Sequence, residues 1–160
     1  MEELRLKVIE WAKDRGILEK ATPASQATKV MEECLELVVA DFNRDLPEIM
    51  DSIGDVLVTL FIEAELLSIP WPSIESSYKD ATYWTRVKPV DILAESTVLY
   101  DLIEENDTED ISGNIAFMVF LLNKYSERAG INPQECLQGA YDVISKRKGK
   151  MVNGIFVKDK

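Results

Sequence analysis

The sequence predicts an all-α protein, a helical bundle of about five to six helices. Apolar residues recur three or four positions apart along most of the chain, as in Leu4, Val8 and Trp11, which is the spacing of one helix face. Glycine and proline residues divide this pattern into segments of helical length. With 160 residues, of which 46% are hydrophobic, the chain is long enough to bury one core. We therefore expect residues 1–160 to form a single all-α domain.

The first half contains three predicted helices with clear start and stop signals. Gly16 ends the first helix, and a linker is predicted over residues 17–21. Thr22-Pro23 starts the second helix, because threonine caps free backbone amides and a proline at the first helical position loses no hydrogen bond. Leu46-Pro47 opens the third helix, which is apolar on almost every side after Asp55 and is therefore predicted to be buried. The predicted helices run from Glu2 to about Arg15, from Pro23 to about Phe42, and from Leu46 to about Leu67.

The second half begins with a weaker pattern. A short helix from about Ser73 to Ala81 is predicted, followed by a loop over residues 83–88. Three longer helices are then predicted, from Asp91 to Glu105, from about Glu109 to Arg128, and from Pro133 to about Lys148. In the tail, Asn153-Gly154 lies between β-branched and aromatic residues, which predicts a small hairpin.

The two halves share a short sequence pattern. Gly54-Asp55-Val56 and Gly113-Asn114-Ile115 each open an apolar helical stretch, but the second copy has a neutral asparagine in place of the aspartate. One interpretation is a degenerate tandem helix pair whose second copy kept its packing and lost its acidic site. Chance similarity between apolar helices is the alternative.

Composition excludes several classes of function. The net charge of −11 argues against broad binding to nucleic acid. No apolar run approaches the ~20 residues that span a bilayer, and Met1-Glu2-Glu3 does not begin a signal peptide, so the cytoplasm is the expected location. The absence of histidine removes Ser-His-Asp hydrolysis and His-ligated zinc. Cys34 and Cys136 lie in helical patterns and are predicted to be buried, unreactive thiols.

Acidic residues concentrate on two adjacent predicted helices. Glu32, Glu33 and Glu36 are three or four positions apart on the second helix, and Asp51 and Asp55 are one turn apart on the third. If these helices pack antiparallel, the two groups of carboxylates face each other and need a counter-charge. A hard divalent cation such as Mg²⁺ or Mn²⁺ fits an all-oxygen set of ligands. The alternative is a solvated acidic helix face, which is less compatible with Asp55 inside an apolar helix.

Glu32-Glu33-x-x-Glu36, followed by Ile53-Gly54-Asp55-Val56-Leu57, resembles the MazG-like all-α nucleoside triphosphate pyrophosphohydrolases, in particular their small phage and bacterial members. The basic tail over residues 147–158 also resembles that subgroup. One departure concerns Ser52, since the family pattern has a glutamate three residues before the second-helix aspartate. Either Asp51 or a water molecule is therefore expected to supply the second donor, and the pair Asp51 and Asp55 is preferred to the pair Glu48-x-x-Asp51.

The resemblance implies Mg²⁺-dependent hydrolysis of nucleoside or deoxynucleoside triphosphates to the monophosphate and pyrophosphate, with water attacking the α-phosphorus. It implies that Glu32, Glu33, Glu36, Asp51 and Asp55 bind metal, and that Glu36 or Glu33 orients or deprotonates the water. It also implies a homodimer or homotetramer, and control or modification of the deoxynucleotide pool, in the host cytoplasm if the protein is phage-encoded. The apolar third and fifth predicted helices suit either an interface or an internal core.

Substrate contacts are expected from three groups of residues. Gln26 and Lys29 share the helix face of the acidic motif. The alternative role for Lys29 is a surface ion pair that contributes little to stability. A dense basic cluster contains Lys146, Arg147 and Lys150, which we expect to bind pyrophosphate oxygens. The alternative is that these cations only stabilise the negative C-terminal end of the helix dipole. For the base, Trp84 is the candidate, with Trp71 and Tyr83 nearby and core packing as the alternative.

Two other functions fit the same residues. An acidic helical binding protein without catalysis, such as a DNA mimic, would spread its acids over an outer surface and would need no metal. A diphosphatase acting on another pyrophosphate-linked nucleotide would share the metal site and differ in its products.

Overall fold

The computed structural model describes residues 1–71, 86–106, 108–152 and 155–158, and within these residues the protein is all-α, as predicted. Seven helices and one two-stranded hairpin are present in these ranges. They are α1 Glu2–Asp14, α2 Ile17–Lys20, α3 Pro23–Asn43, α4 Leu46–Leu66, α5 Pro89–Glu105, α6 Thr108–Ala129, α7 Pro133–Ile144, β1 Gly149–Val152 and β2 Ile155–Lys158. The short helix predicted at Ser73–Ala81 lies outside the described residues.

Two predicted boundaries were wrong. The predicted linker contains the single turn α2, because Ile17 is buried and holds this segment against the core. Gly16 adopts a left-handed conformation (φ 71°) just before that turn. The last helix ends at Ile144 rather than near Lys148, so Lys146, Arg147 and Lys148 follow the helix instead of belonging to it.

The start of α3 follows the predicted capping chemistry, and α4 begins with a side-chain cap that was not predicted. Thr22 Oγ1 accepts a hydrogen bond from the Ser25 amide at 3.2 Å, and Ser25 Oγ accepts one from the Thr22 amide at 2.9 Å. Asp45 caps α4 by accepting a hydrogen bond from the Glu48 amide at 3.3 Å. Between the helices, Arg44 adopts a left-handed conformation (φ 57°), and the connection is short. The two helices consequently pack side by side and antiparallel.

Helix α4 is the centre of the bundle. Every residue from Val56 to Ala64 is buried, and the helix packs against α3, α7 and α1. At Gly54 the approach of α7 is so close that an added Cβ would lie 2.8 Å from the Cβ of Ala140. Of the two roles considered for the apolar third helix, the structure gives it the internal core.

The second half continues the bundle on the other side of α3. Helix α5 packs on α3 and on α6. The Tyr125 hydroxyl of α6 donates a hydrogen bond to Asp41 Oδ1 of α3 at 2.8 Å. Asn114 Nδ2 of α6 donates to Glu95 Oε2 of α5 at 2.8 Å, so the position equivalent to Asp55 faces a carboxylate here as well. This contact belongs to the second copy of the shared sequence pattern, and the degenerate tandem helix pair stays a prediction.

The tail forms the predicted hairpin. Strands β1 and β2 are antiparallel, with Met151 opposite Phe156 and Val152 opposite Ile155. The turn residues Asn153 and Gly154 lie outside the described part of the chain. Directly opposed residues of an antiparallel pair project on the same face, so Met151 and Phe156 share one side of the hairpin.

Across the described ranges, no helix is both long enough and apolar enough to cross a membrane.

Candidate functional site

One pocket of about 320 Å³ lies between α3 and α4 and is bordered by α1, α2, the end of α7 and the hairpin. All five carboxylates predicted to bind metal are in its wall, together with two of the predicted substrate contacts on α3 and one on the tail. These polar lining residues are Glu32, Glu33, Glu36, Asp51, Asp55, Gln26, Lys29 and Arg147. The fold thus brings together residues that are far apart in the sequence.

The face of α3 that lines the pocket is held in register with α4. Gln26 is buried, and its Nε2 donates a hydrogen bond to the backbone oxygen of Thr59 at 3.1 Å. Because the oxygen of Thr59 lies in the middle of α4, this bond fixes how the two helices slide past each other. It therefore sets the position of the α3 carboxylates relative to Asp55, one turn earlier on α4.

Lys29 places a positive charge among the carboxylates. Its Nζ lies 2.6 Å from Glu32 Oε2 and 3.3 Å from Glu33 Oε1. Burial alone would lower the pKa of Lys29, but the hydrogen bond that Lys29 donates to Glu32 and the charge of Glu33 outweigh burial and raise the pKa. Lys29 is consequently charged near neutral pH. It makes the ion pairs that were the alternative prediction for it, and these ion pairs lie inside the predicted site.

Glu33 is the most deeply placed of the five acids, with 9% of its surface exposed. Burial raises its pKa to about 7, Lys29 opposes the increase, and the charges of Asp55 and Glu36 add to it. The like charges of the pocket are therefore only partly compensated by Lys29. A cluster of this kind gains stability from a further cation.

The donor atoms suit a hard divalent cation, but they do not form a finished ligand set. Among the described residues, no three acidic or cysteine side chains are gathered closely enough to hold a metal ion. Glu32 and Glu33 are drawn towards Lys29 instead. The carboxylates would have to turn from Lys29 towards a shared ion. The residues therefore fit a cation by chemistry and by location, and their present rotamers are those of ion pairs.

Ser52 and Asp51, the two residues that the resemblance left open as metal donors, differ in their access to the pocket. Ser52 is buried, and its Oγ has no hydrogen-bond partner among the described residues. Asp51 lines the pocket. Glu48 is exposed and is not part of the described pocket wall. The pair with access to the pocket is thus Asp51 and Asp55.

The predicted substrate contacts of the basic tail also differ in their access to the pocket. Arg147 lines the pocket, but Lys146, one residue earlier, does not. The side chain of Lys150 is not described, and Trp84 lies outside the described residues. Trp71 is buried and packs edge-on against Phe61 with ring centroids 4.4 Å apart, which is the core role considered for it.

No protein-family model matches the sequence. No solved structure matches it either. A relative from Haemophilus phage HP1, an uncharacterised 18.2 kDa protein of the rep-hol intergenic region, is 37% identical over 65 residues, which are 41% of this chain and 40% of that protein. The chain therefore matches about two fifths of this relative's length. The finding is a similarity to a phage protein over part of each chain, and the resemblance to MazG-like enzymes stays a prediction.

Sequence reasoning missed the apolar part of the pocket wall. Trp11 of α1 and Ile17 of α2 line it, as do Met151 and Phe156 of the hairpin. The tail signal was available in part, because a two-residue Asn-Gly turn places Met151 opposite Phe156. Trp11 had no separate signal, since it belongs to the apolar face of its helix. The docking of the tail against α1 could not be predicted from local pattern.

The two cysteines are buried, as predicted. Burial raises the pKa of Cys34 to about 12 and that of Cys136 to about 11, so both remain protonated thiols near neutral pH.

Proposed function

We propose that this protein is a divalent-metal-dependent nucleoside triphosphate pyrophosphohydrolase that releases a nucleoside or deoxynucleoside monophosphate and pyrophosphate. The observation that carries the proposal is the convergence of five carboxylates from α3 and α4 on one pocket that also contains Lys29 and Arg147. Spread over an outer surface, these acids would indicate only a solvated face. Gathered in a concave site with two cations, they suit a metal ion and a polyphosphate.

Mg²⁺ is the proposed cofactor, with Mn²⁺ as a substitute, and Glu32, Glu33, Glu36, Asp51 and Asp55 would hold it. When bound, such an ion supplies positive charge to phosphate oxygens and makes water more acidic. It would also stabilise the charged form of Glu33 and so oppose the burial that raises its pKa.

The remaining steps belong to side chains of the chain itself. Glu36 or Glu33 would orient the attacking water and take its proton. Lys29 and Arg147 would neutralise oxygens of the triphosphate, because both line the pocket that holds the carboxylates. Gln26 would act through position, since its amide is bound to α4 and keeps the two helices in register.

Pyrophosphate release in the presence of Mg²⁺ tests the proposal, with each of the nucleoside and deoxynucleoside triphosphates as substrate. We expect one pyrophosphate for each monophosphate formed, and a loss on the order of 100-fold or more in Glu36→Gln. Glu48→Gln is the matched control, because Glu48 is an exposed acid at the start of α4 outside the described pocket wall. Absence of pyrophosphate, or equal activity in the two variants, would refute the proposal. Other products would indicate a diphosphatase for a different pyrophosphate-linked nucleotide.

We also propose that copies of the chain associate through a stripe of exposed apolar residues on the outer side of α3. The stripe consists of Leu35, Val39 and Phe42, spaced for one helix face, and Phe42 is 85% exposed. A homodimer or homotetramer is expected. Light scattering after size exclusion measures the mass, and Phe42→Ser should lower it to that of a monomer.

A second candidate function is a partner-binding protein without catalysis. The observation that favours it is the same exposed stripe in a chain whose net charge is −11. This candidate predicts no effect of Mg²⁺ and no difference between Glu36→Gln and wild type in any nucleotide assay.

The biological setting proposed for the enzyme is the deoxynucleotide pool of a phage-infected cell, in the host cytoplasm, which the phage relative supports.

A further inference from the structure

The pocket has two chemically different ends, and they follow the axis of α4. Asp51 and Asp55 lie at one end, and Val58 and Ile62 line the wall one and two turns farther along. Seven residues of α-helix separate Asp55 from Ile62, a distance of about 10 Å at the usual helical rise. This length leaves room for a sugar between a ring at one end and a phosphate at the other.

The apolar residues of the pocket wall include two aromatic rings. Trp11 of α1 and Phe156 of the hairpin meet edge-to-face, with centroids 5.8 Å apart and planes at 70°. Both side chains are only partly buried, so the rings keep accessible surface next to the pocket. Among the described residues, the indole N–H of Trp11 has no hydrogen-bond partner. We call this aromatic part of the wall, together with Val58 and Ile62, the apolar end, and it offers aromatic surface where the carboxylates offer charge.

The position of Phe156 is fixed by the hairpin. An added Cβ on Gly149 would lie 2.6 Å from Phe156 Cζ, so the ring lies against the bare backbone of Gly149. Met151, directly opposite Phe156 in the strand register, also lines the pocket. One face of the hairpin thus forms a wall of the apolar end, and Val157 on the other face is exposed.

We propose that this apolar end is a nucleobase subsite, in which a planar ring stacks on one of the two aromatic rings, Trp11 or Phe156, and packs against the edge of the other, while the phosphates extend to the acidic end. The inference rests on the proposed function and adds the residues that would hold the base. A flat heterocycle packs well on accessible aromatic surface, and stacking on such side chains tolerates different bases. The hairpin therefore acts as a binding element and not only as a tail.

Binding of nucleoside 5′-monophosphates to the full-length protein in metal-free buffer tests the subsite, with calorimetry as the readout. We expect Trp11→Leu and Phe156→Leu each to weaken this binding by about 5- to 100-fold, the usual range for loss of one stacking partner. Leu6→Ala on α1 and Val157→Ala on β2 are matched controls, because both side chains are exposed neighbours that do not line the pocket. Inorganic tripolyphosphate, which has no base, should bind all five proteins equally in the presence of Mg²⁺.

The outcomes separate the subsite from the proposed function. Monophosphate binding that depends on Trp11 and Phe156, without pyrophosphate release from any triphosphate, would support the subsite and refute the enzyme. Pyrophosphate release that is unchanged in both variants would refute the subsite and leave the enzyme intact. No measurable monophosphate binding by the wild type, or equal binding in wild type and both variants, would also overturn the subsite. Because Phe156 lies on the hairpin outside the helical bundle, Phe156→Leu keeps the test valid if Trp11→Leu fails to fold.

Discussion

Helix pairs α3–α4 and α5–α6 show how one arrangement can be electrostatically satisfied or left in need of a ligand. In the second pair, Asn114 donates a hydrogen bond to the carboxylate of Glu95 at 2.8 Å. In the first pair, the equivalent Asp55 adds its negative charge to the surroundings of Glu33 and helps to raise the pKa of Glu33 to about 7. An amide opposite a carboxylate completes a contact, whereas neighbouring carboxylates repel each other and favour a cation, a role that Lys29 fills only in part. The comparison explains why we place the site in the first pair.

Exchanging the two side chains is the largest perturbation of this comparison. Asp55→Asn should reduce pyrophosphate release on the order of 100-fold or more, because it removes a proposed metal ligand. Asn114→Asp should leave the activity unchanged and should destabilise the fold by about 1–3 kcal/mol, because Glu95 would lose its donor and face a like charge. Activity assays and urea unfolding of both variants measure the two effects. Loss of activity only in Asn114→Asp would contradict the proposal and would place the site in the second helix pair, α5–α6.

A second contrast lies nine residues after each glycine, where α4 has Glu63 and α6 has Leu122. Both side chains are fully buried at 0% exposure, and within the described part of the chain neither carboxylate oxygen of Glu63 has a hydrogen-bond partner. Burial raises the pKa of Glu63 to about 8 from an ordinary value of 4.5. The folded state therefore holds a proton that the unfolded state releases above pH 4.5, and stability falls as the pH rises from there to about 8.

Glu63→Leu removes this pH dependence and makes α4 resemble α6. Its stability advantage over the wild type should be small at pH 5 and should grow by an amount on the order of 4 kcal/mol by pH 8 and above. The difference between the two unfolding curves isolates Glu63, because Glu33 titrates in both proteins. Chemical unfolding at several pH values measures it. A difference that stays constant between pH 5 and pH 8 would mean that Glu63 is ionised in the folded protein.

The glycines that precede Asp55 and Asn114 provide the smallest contrast. An added Cβ at Gly54 would lie 2.8 Å from Ala140 Cβ, whereas an added Cβ at Gly113 would meet nothing within 4 Å. Gly54→Ala should therefore cost about 1–3 kcal/mol through overpacking between α4 and α7. Gly113→Ala should add about 0.5–1 kcal/mol, since alanine favours a helix more than glycine does. Thermal unfolding of the two variants compares them directly, and equal shifts would contradict the close packing of α4 on α7.

The sequence predicted most of the helices because their ends carry local chemistry. Thr22, Pro23 and Asp45 act through their own backbone neighbourhoods, and helix starts of this type do not depend on the rest of the fold. The spacing of Lys29, Glu32 and Glu33 likewise predicted their contact.

Features that depend on distant parts of the chain were harder to predict. The aromatic end requires the tail to reach α1, and no local pattern of Trp11 or Phe156 contains that contact. The turn α2 forms because Ile17 finds the core, which is also a tertiary effect.

Glu63 shows a limit of the argument that selected Asp55. Both acids interrupt an apolar helix, so the same reasoning applies to each. The structure places Asp55 in the pocket wall and Glu63 in the core without a partner. An acidic residue in an apolar helix therefore indicates an unusual position. Its neighbours in space decide whether that position is a functional site or the core.

Binding of Mn²⁺ tests most directly whether α3 and α4 together form a cation site, and electron paramagnetic resonance can follow the free ion during a titration. We predict saturable binding by the wild type and by Glu48→Gln, and loss of that binding in the double variant Asp51→Asn, Asp55→Asn. No saturable binding by the wild type, or equal binding by the double variant, would contradict the assignment of these carboxylates to a metal.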